Sequence, residues 1–431
     1  MAKLTFNKLK STDAIWLPQV PEHWELVKVR HLFKESTKKG FPNETLLVAS
    51  QEHGVVSKDA YGKRTVEATK DLQNLKLVEQ GDFVISLRSF QGGIEVAHER
   101  GIISPAYTVM KETRQIEKHY FKNLFKSPPF ISLMTLCVKG IREGQNIDYP
   151  TFKNEYLPFP PLDEQKAIAT YLDKKNYEID KFIRNKVRLV ELLEERKKKV
   201  ISKNISQWLH SDLKDSGISW IGKIPTHWNV LNLKYLLKNK LKYGANEEAK
   251  DANPEHPRYI RITDFGFDGK LSDDTFRSLP LTKAKEYLLS EGDILFARSG
   301  ATVGKTFQFK EYDGLACFAG YLIKASPNDK KILSDFLYLY TQSSLFEEWK
   351  NRIFDKATIE NIGADKYAVL KVIVPPINEQ AQIIAFVQNE SLEINLAISK
   401  ARKEISSIKE YREALITDLV TGKRCLPNDL G

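Results

Sequence analysis

One amphipathic pattern, long enough to form a rod and present twice, limits what this 431-residue chain can become. The first copy opens with Pro160-Pro161-Leu162-Asp163-Glu164-Gln165 and continues without Pro or Gly to about Ile205. The second opens with Pro375-Pro376-Ile377-Asn378-Glu379-Gln380 and continues to about Val420. A shift of 215 residues lays Ile168, Leu172, Ile179, Ile183, Val190, Leu193, Val200 and Ile201 on Ile383, Val387, Ile394, Ile398, Ile405, Ile408, Leu415 and Ile416. Steps of three, four and seven are those of a coiled-coil seam. Asp163 and Asn378 are good N-cap residues, and Pro cannot extend a helix backwards, so both starts are defined. At about 1.5 Å per residue each helix is roughly 65 Å long. An apolar stripe of that length needs a partner, and the other copy supplies one.

The duplication extends beyond the helices. Trp16-Leu17-Pro18-Gln19-Val20-Pro21-Glu22-His23-Trp24 matches Trp220-Ile221-Gly222-Lys223-Ile224-Pro225-Thr226-His227-Trp228 at an offset of 204. Leu32 and Leu236 then close a short amphipathic helix in each half. The middles, 42–75 and 246–285, diverge; Thr45-Leu46-Leu47-Val48-Ala49 and Arg258-Tyr259-Ile260-Arg261-Ile262 read as strands between polar loops. Similarity returns at Gly81-Asp82-Phe83-Val84-Ile85-Ser86-Leu87-Arg88-Ser89 and Gly292-Asp293-Ile294-Leu295-Phe296-Ala297-Arg298-Ser299, each a turn feeding a buried strand. Helical segments follow near 116–136 and 331–351.

These units divide the chain into a globular domain (1–160), a long helix (161–208), a second globular domain (209–375) and a second long helix (376–425). The expected fold is mixed α/β (α+β), a tandem duplication of globule plus helix. Two such copies settle about a pseudo-twofold axis, which makes the helices an antiparallel coiled coil with a globule at each end.

A net charge of +10 favours a polyanionic partner. Cys137, Cys317 and Cys425 lie far apart with no C-x-x-C pair, which argues against a zinc site or disulfide framework and fits a reducing compartment. Met-Ala-Lys-Leu-Thr-Phe has no apolar signal core, and no run approaches a membrane span. A soluble cytoplasmic protein with no membrane partner is expected.

Catalytic patterns fail one by one. Ser127-Pro128-Pro129-Phe130 resembles the loop with which amino-methyltransferases grip a base, but no Gly-rich S-adenosylmethionine turn accompanies it. The equivalent Gln342-Ser343-Ser344-Leu345 lacks it too. Ser299-Gly300-Ala301-Thr302-Val303-Gly304-Lys305-Thr306 misses the first glycine of a phosphate loop, and Phe307-Gln308-Phe309 after it is strand-like. His23 and His227 read as structural residues beside their tryptophans. Arg196-Lys197-Lys198-Lys199 reads as a solvated helix face, with phosphate contact as the alternative.

The repeated W-[LI]-x-x-[IV]-P-x-H-W start, the G-D-[IF]-[LV]…R-S strand, the Pro-Pro-[LI]-x-Glu-Gln helix opening and Val420-Thr421-Gly422-Lys423 together resemble the specificity subunit of type I restriction-modification enzymes, over nearly the whole chain. The resemblance implies a non-catalytic subunit whose globules are target recognition domains, each reading half of a bipartite site in double-stranded DNA. It implies that the helices set the spacing and dock two methylation (M) subunits, joined by restriction (R) subunits. It implies no cofactor on this chain itself, with S-adenosylmethionine, ATP and Mg on the partner subunits.

Base edges are read by Arg, Lys, Asn and Gln, while phosphate contacts fix register. The candidates for DNA contact in the first globule are Gln51, His53, Lys58, Lys63 and Arg64. In the second they are Arg258, Arg261, Thr263, Lys270 and Lys305. Arg88 and Arg298 recur in both copies and suit phosphate or fold. The competing readings are a self-sufficient DNA amino-methyltransferase, a coiled-coil adaptor that binds only proteins, and the specificity subunit of a related bipartite-site enzyme that cuts on both sides of its target.

Overall fold

The computed structural model describes residues 8–51, 53–61, 71–86, 93–139, 146–209, 211–266, 271–300, 302–354 and 361–427. The chain forms two compact units, 1–186 with 403–431, and 187–402. These units cut across the linear order of globule and helix. The first helix (Leu162–Ser206) and the second (Ile377–Val420) each give one part to each unit.

In the first unit, Leu9–Ser11 pairs antiparallel with Gln19–Pro21, and Glu25–Lys28 with Tyr156–Phe159. A four-stranded antiparallel sheet has the order Phe33–Ser36, Thr108–Glu112, Phe83–Ile85, Glu95–Val96. A hairpin joins Leu47–Ser50 to Gly54–Ser57 within the divergent middle. Helices Lys118–Leu124 and Pro128–Leu136 cover the sheet with Tyr120, Phe121, Phe125 and Phe130, all fully buried. Trp24 lies in that same core, and so do Ile168 and Leu172 of the first long helix and Leu415 and Leu419 of the second. Tyr120 ties the second helix down by donating to the Val420 carbonyl at 2.9 Å.

The second unit repeats the frame. Leu213–Asp215 pairs with Lys223–Pro225, and Asn229–Asn232 with Lys371–Val374. Its four-stranded sheet has the order Lys242–Tyr243, Leu322–Ala325, Ile294–Ala297, Thr306–Gln308. The divergent middle differs here, because Arg258–Ile260 runs parallel to Ala316–Phe318. Ile201 and Ile205 from the first long helix and Ile383 and Val387 from the second join the core around Trp228.

The repeated Gly-Asp is a turn device. Gly81 and Gly292 have φ of 84° and 85°, where a side chain is strained. The following carboxylates accept from the amides of Glu79 and Ser290, each at 2.8 Å, and face Lys111 and Lys324 on the neighbouring strand.

The long helices run antiparallel within each unit. In the first, Arg412 meets Asp180 at 2.5 Å and Glu404 meets Lys186 at 2.6 Å. In the second, Arg402 meets Glu194 at 2.6 Å and Asn395 meets Lys197 at 2.8 Å. Of the seam positions, Ile168, Leu172, Ile179, Val190, Ile383, Val387, Ile394 and Ile398 are buried, while Ile183, Leu193, Ile405 and Ile408 are half-buried. The expectation of one continuous helix-on-helix seam is corrected. Ile168, Leu172, Ile383 and Val387 are built into globule cores, and the cluster of Val190, Leu193, Ile394, Ile398 and Ala401 is helix against helix alone.

Candidate nucleic-acid interface

The most recognisable motifs are junctions. His23 Nε2 hydrogen-bonds Glu164 at 2.8 Å, and His227 Nε2 hydrogen-bonds Glu379 at 2.8 Å. The adjacent glutamines are fully buried. Gln165 donates to the Pro160 carbonyl at 2.8 Å and accepts from the Glu117 amide at 2.9 Å. Gln380 donates to the Pro375 carbonyl at 2.8 Å and accepts from the Leu333 amide at 2.8 Å. Each Pro-Pro-x-x-Glu-Gln turn therefore clamps a helix start onto its own globule, and its polar groups are spent on that task.

The candidate residues divide sharply in this setting. Gln51 and His53 stand exposed at the tip of the first globule's hairpin, and half-buried Lys58 opens the short helix Lys58–Tyr61. Lys63, Arg64, Arg88 and Lys270 lie outside the described residues. Arg258 is corrected: it is 2% exposed, lies over the rings of Phe276 and Tyr312 at 5.6 and 5.5 Å, and donates to the Ser272 carbonyl. A guanidinium enclosed in this way holds the loop and cannot reach a base edge. Arg261 is half-buried and spent on Asp264 at 2.9 Å and the Thr275 carbonyl at 2.7 Å. Thr263, on the same 3-10 turn, is exposed. Arg298 lays its guanidinium over Tyr243 at 5.0 Å, a partner 55 residues away that no sequence pattern singles out. Lys305 is exposed on the wall of a 640 Å³ cleft that Lys198 and Lys350 also line.

The basic run on the first helix is largely committed. Lys197 bonds Asn395 and its ammonium is pushed down by burial; Lys198 pairs with Glu347, and Lys199 with Glu195 at 2.6 Å.

Neither suspected chemical loop holds a reactive arrangement. Ser127 is 1% exposed and donates to the Leu124 carbonyl at 2.7 Å, and Phe130 packs on Phe125 with ring centres 4.8 Å apart. The segment is the Pro-started beginning of the helix Pro128–Leu136, with Ser127 and Phe130 packed into the core, and not a displayed base-gripping loop. In the other loop, Val303 and Lys305 donate their amides to Gly300 and Thr302 at 2.9 and 3.0 Å, and the strand Thr306–Gln308 follows in place of a helix. Burial pushes the thiols of Cys137 and Cys317 up to about 11 and about 12, which keeps them protonated and unreactive. Among the described residues no cluster of His, Cys, Asp or Glu is placed to hold a metal ion, and no helix is long and apolar enough to cross a membrane.

Comparison with known proteins agrees with the duplication. A family model described as the type I restriction modification DNA specificity domain matches residues 21–208 and again 225–405. The chain is 23% identical to the type I restriction enzyme MjaVIII specificity subunit of Methanocaldococcus jannaschii, covering 94% of each. It is 23% identical to the StySPI specificity subunit of Salmonella potsdam, covering 97% of this chain and 83% of that one. Its fold is similar to a solved chain from work on complex assembly and conformational transition of the type I R-M system. The TM-score is 0.60 at 16% identity, over 93% of this chain and 98% of that one.

Proposed function

The chain belongs to the type I restriction modification DNA specificity family and is the DNA sequence-specificity subunit of such a complex, not a catalytic one, and from that premise we propose how its parts divide the work. Each globule reads one half of a bipartite target, and the paired helices set the separation of the halves. The observation that carries this reading is the double use of one design. Each unit joins a globule to the start of one long helix through the same His–Glu and buried-Gln junction, and takes the end of the other helix into its core. Two readers built alike on antiparallel supports suit two half-sites at a set spacing.

Specificity subunits assemble with methylation and restriction subunits and bind DNA. For this chain we assign the docking of two methylation subunits to the apolar residues the helices leave exposed. Tyr177, Leu192, Leu392 and Leu396 are 65%, 46%, 57% and 63% accessible. S-adenosylmethionine, ATP and Mg belong on the partners, and the reading expects this chain to bind none of them.

The test is methylation mapping. Co-expression with the methylation subunit encoded beside this chain, followed by sequencing of host DNA for N6-methyladenine, is expected to give two short defined halves around an undefined spacer, absent without this chain. No new methylation from an assembled complex would favour the protein-only adaptor.

A further inference from the structure

The second globule carries a pocket of about 340 Å³ whose floor is small and apolar, Ala245, Ala249, Ile262 and Ala319. Three exposed polar side chains stand on its rim, Asn246, Thr263 and Tyr321. Among the described residues neither the Asn246 carboxamide nor the Tyr321 hydroxyl has a hydrogen-bond partner, and the Thr263 hydroxyl has only a 3.4 Å contact to Asp264.

The backbone beneath these free side chains is fixed. A Cβ on Gly244 would lie 2.3 Å from the carbonyl oxygens of Phe318 and Ala319, so the strands cross there at a distance only glycine allows. Ala245 donates to the Phe318 carbonyl at 2.9 Å and accepts from the Gly320 amide at 2.7 Å. From below, the buried Tyr259 hydroxyl sits 2.7 Å from the Ala245 carbonyl and 3.0 Å from that of Glu247. The segment bearing Asn246 is therefore held on both sides while its side chain is left uncommitted. Thr263 stands on the turn that Arg261 and Asp264 lock. The Tyr321 carbonyl accepts from the Arg298 amide at 3.1 Å, and the Arg298 guanidinium lies over the Tyr243 ring at 5.0 Å. The charge of Glu247, also on the rim, is matched by Lys283 at 2.7 Å.

Resting on the specificity-subunit reading, we propose that this pocket takes the edge of one base pair in one half of the DNA target, with Asn246 as the residue that reads it. A carboxamide offers one acceptor and donors side by side, the complement of adenine N7 and N6 in the major groove. Thr263 and Tyr321 flank it, and the apolar floor suits the thymine methyl of an adenine–thymine pair. A rigid support beneath a free side chain keeps the ordering cost of recognition small.

Methylation mapping with the co-expressed methylation subunit tests this on the full chain carrying Asn246→Ala or Asn246→Asp, both at an exposed position. With Asn246→Ala, discrimination at one adenine–thymine position falls by about ten- to a hundredfold while the other half of the split motif is unchanged. With Asn246→Asp, which only accepts, preference at that position moves toward cytosine, whose N4 donates. A wild-type split motif left unmoved by both variants overturns the assignment of Asn246 and leaves the specificity role standing. A wild-type complex that directs no split motif removes both.

Discussion

Glu379 accepts His227 on one carboxylate oxygen at 2.8 Å, across 152 residues of sequence, and takes the indole N–H of the neighbouring Trp228 on the other at 2.9 Å. Trp228 is fully buried, so the second helix starts where the core's largest side chain needs an acceptor. Glu379→Ala removes that acceptor and is expected to lower stability by about 1–3 kcal/mol, with Glu379→Gln milder. Urea unfolding of the purified chain measures it, and an unchanged midpoint in Glu379→Ala would deny the junction its structural role.

Arg258 is expected to matter for stability and not for recognition. Arg258→Met keeps the length of the side chain but loses the contact to Ser272 and the two aromatic faces, a cost of about 2 kcal/mol. DNA affinity measured well below the unfolding transition stays at the wild-type level. A selective loss of affinity with normal stability would return Arg258 to the reading surface.

Trp208 ends the first helix at φ 50°, where the second helix has Gly422 at φ 72°. The tryptophan stays there because it packs edge-on against Phe386, ring centres 5.3 Å apart. Once that packing is gone, only the backbone term remains. Trp208→Gly is therefore expected to be more stable than Trp208→Ala by about 1 kcal/mol, read from the two midpoints.

Lys305 faces open solvent on a cleft wall, and a phosphate contact there would release one counterion. Lys305→Ala is expected to lower the slope of log K against log salt by about one and to weaken all DNA sequences alike. A slope equal to wild type would take Lys305 off the interface.

The Lys198–Glu347 pair joins the first long helix to the helix Ser344–Phe354. The hydrogen bond from Lys198 holds the Glu347 carboxyl below its ordinary range. A depressed carboxylate contributes stability above its unfolded value, and that contribution is lost as pH falls through the folded one. Both side chains are 43% exposed, so the effect is local and small. Faster amide exchange in 344–354 on moving from pH 7 to pH 4, beyond the intrinsic rate change and absent in Glu347→Gln, is the expected signature.

Much of the architecture was legible because it rests on local regularities. Helix periodicity, helix starts just after Pro-Pro and strands flanked by turn residues are properties of neighbouring residues, and repetition at offsets of 204 and 215 doubled each signal. Asp163 and Asn378, however, fall one residue inside their helices and are not the N-caps. The paired apolar stripes required the helices to meet. The empty motif search and the basic charge already pointed to recognition over catalysis.

Only the tertiary structure decided which side chains are free to act. Arg258 and Arg261 sit three residues apart and look alike in sequence. One is enclosed by Phe276 and Tyr312, the other spent on Asp264 and Thr275, while Asn246, unremarkable in sequence, has its carboxamide uncommitted. The seam residues Ile168 and Ile383 went to globule cores for the same reason. Periodicity says that a face is apolar or a loop polar. Whether a given group is already satisfied depends on which partners the fold brings to it, near in sequence like Asp264 to Arg261 or distant like Tyr312 to Arg258, and that is settled only when the chain folds.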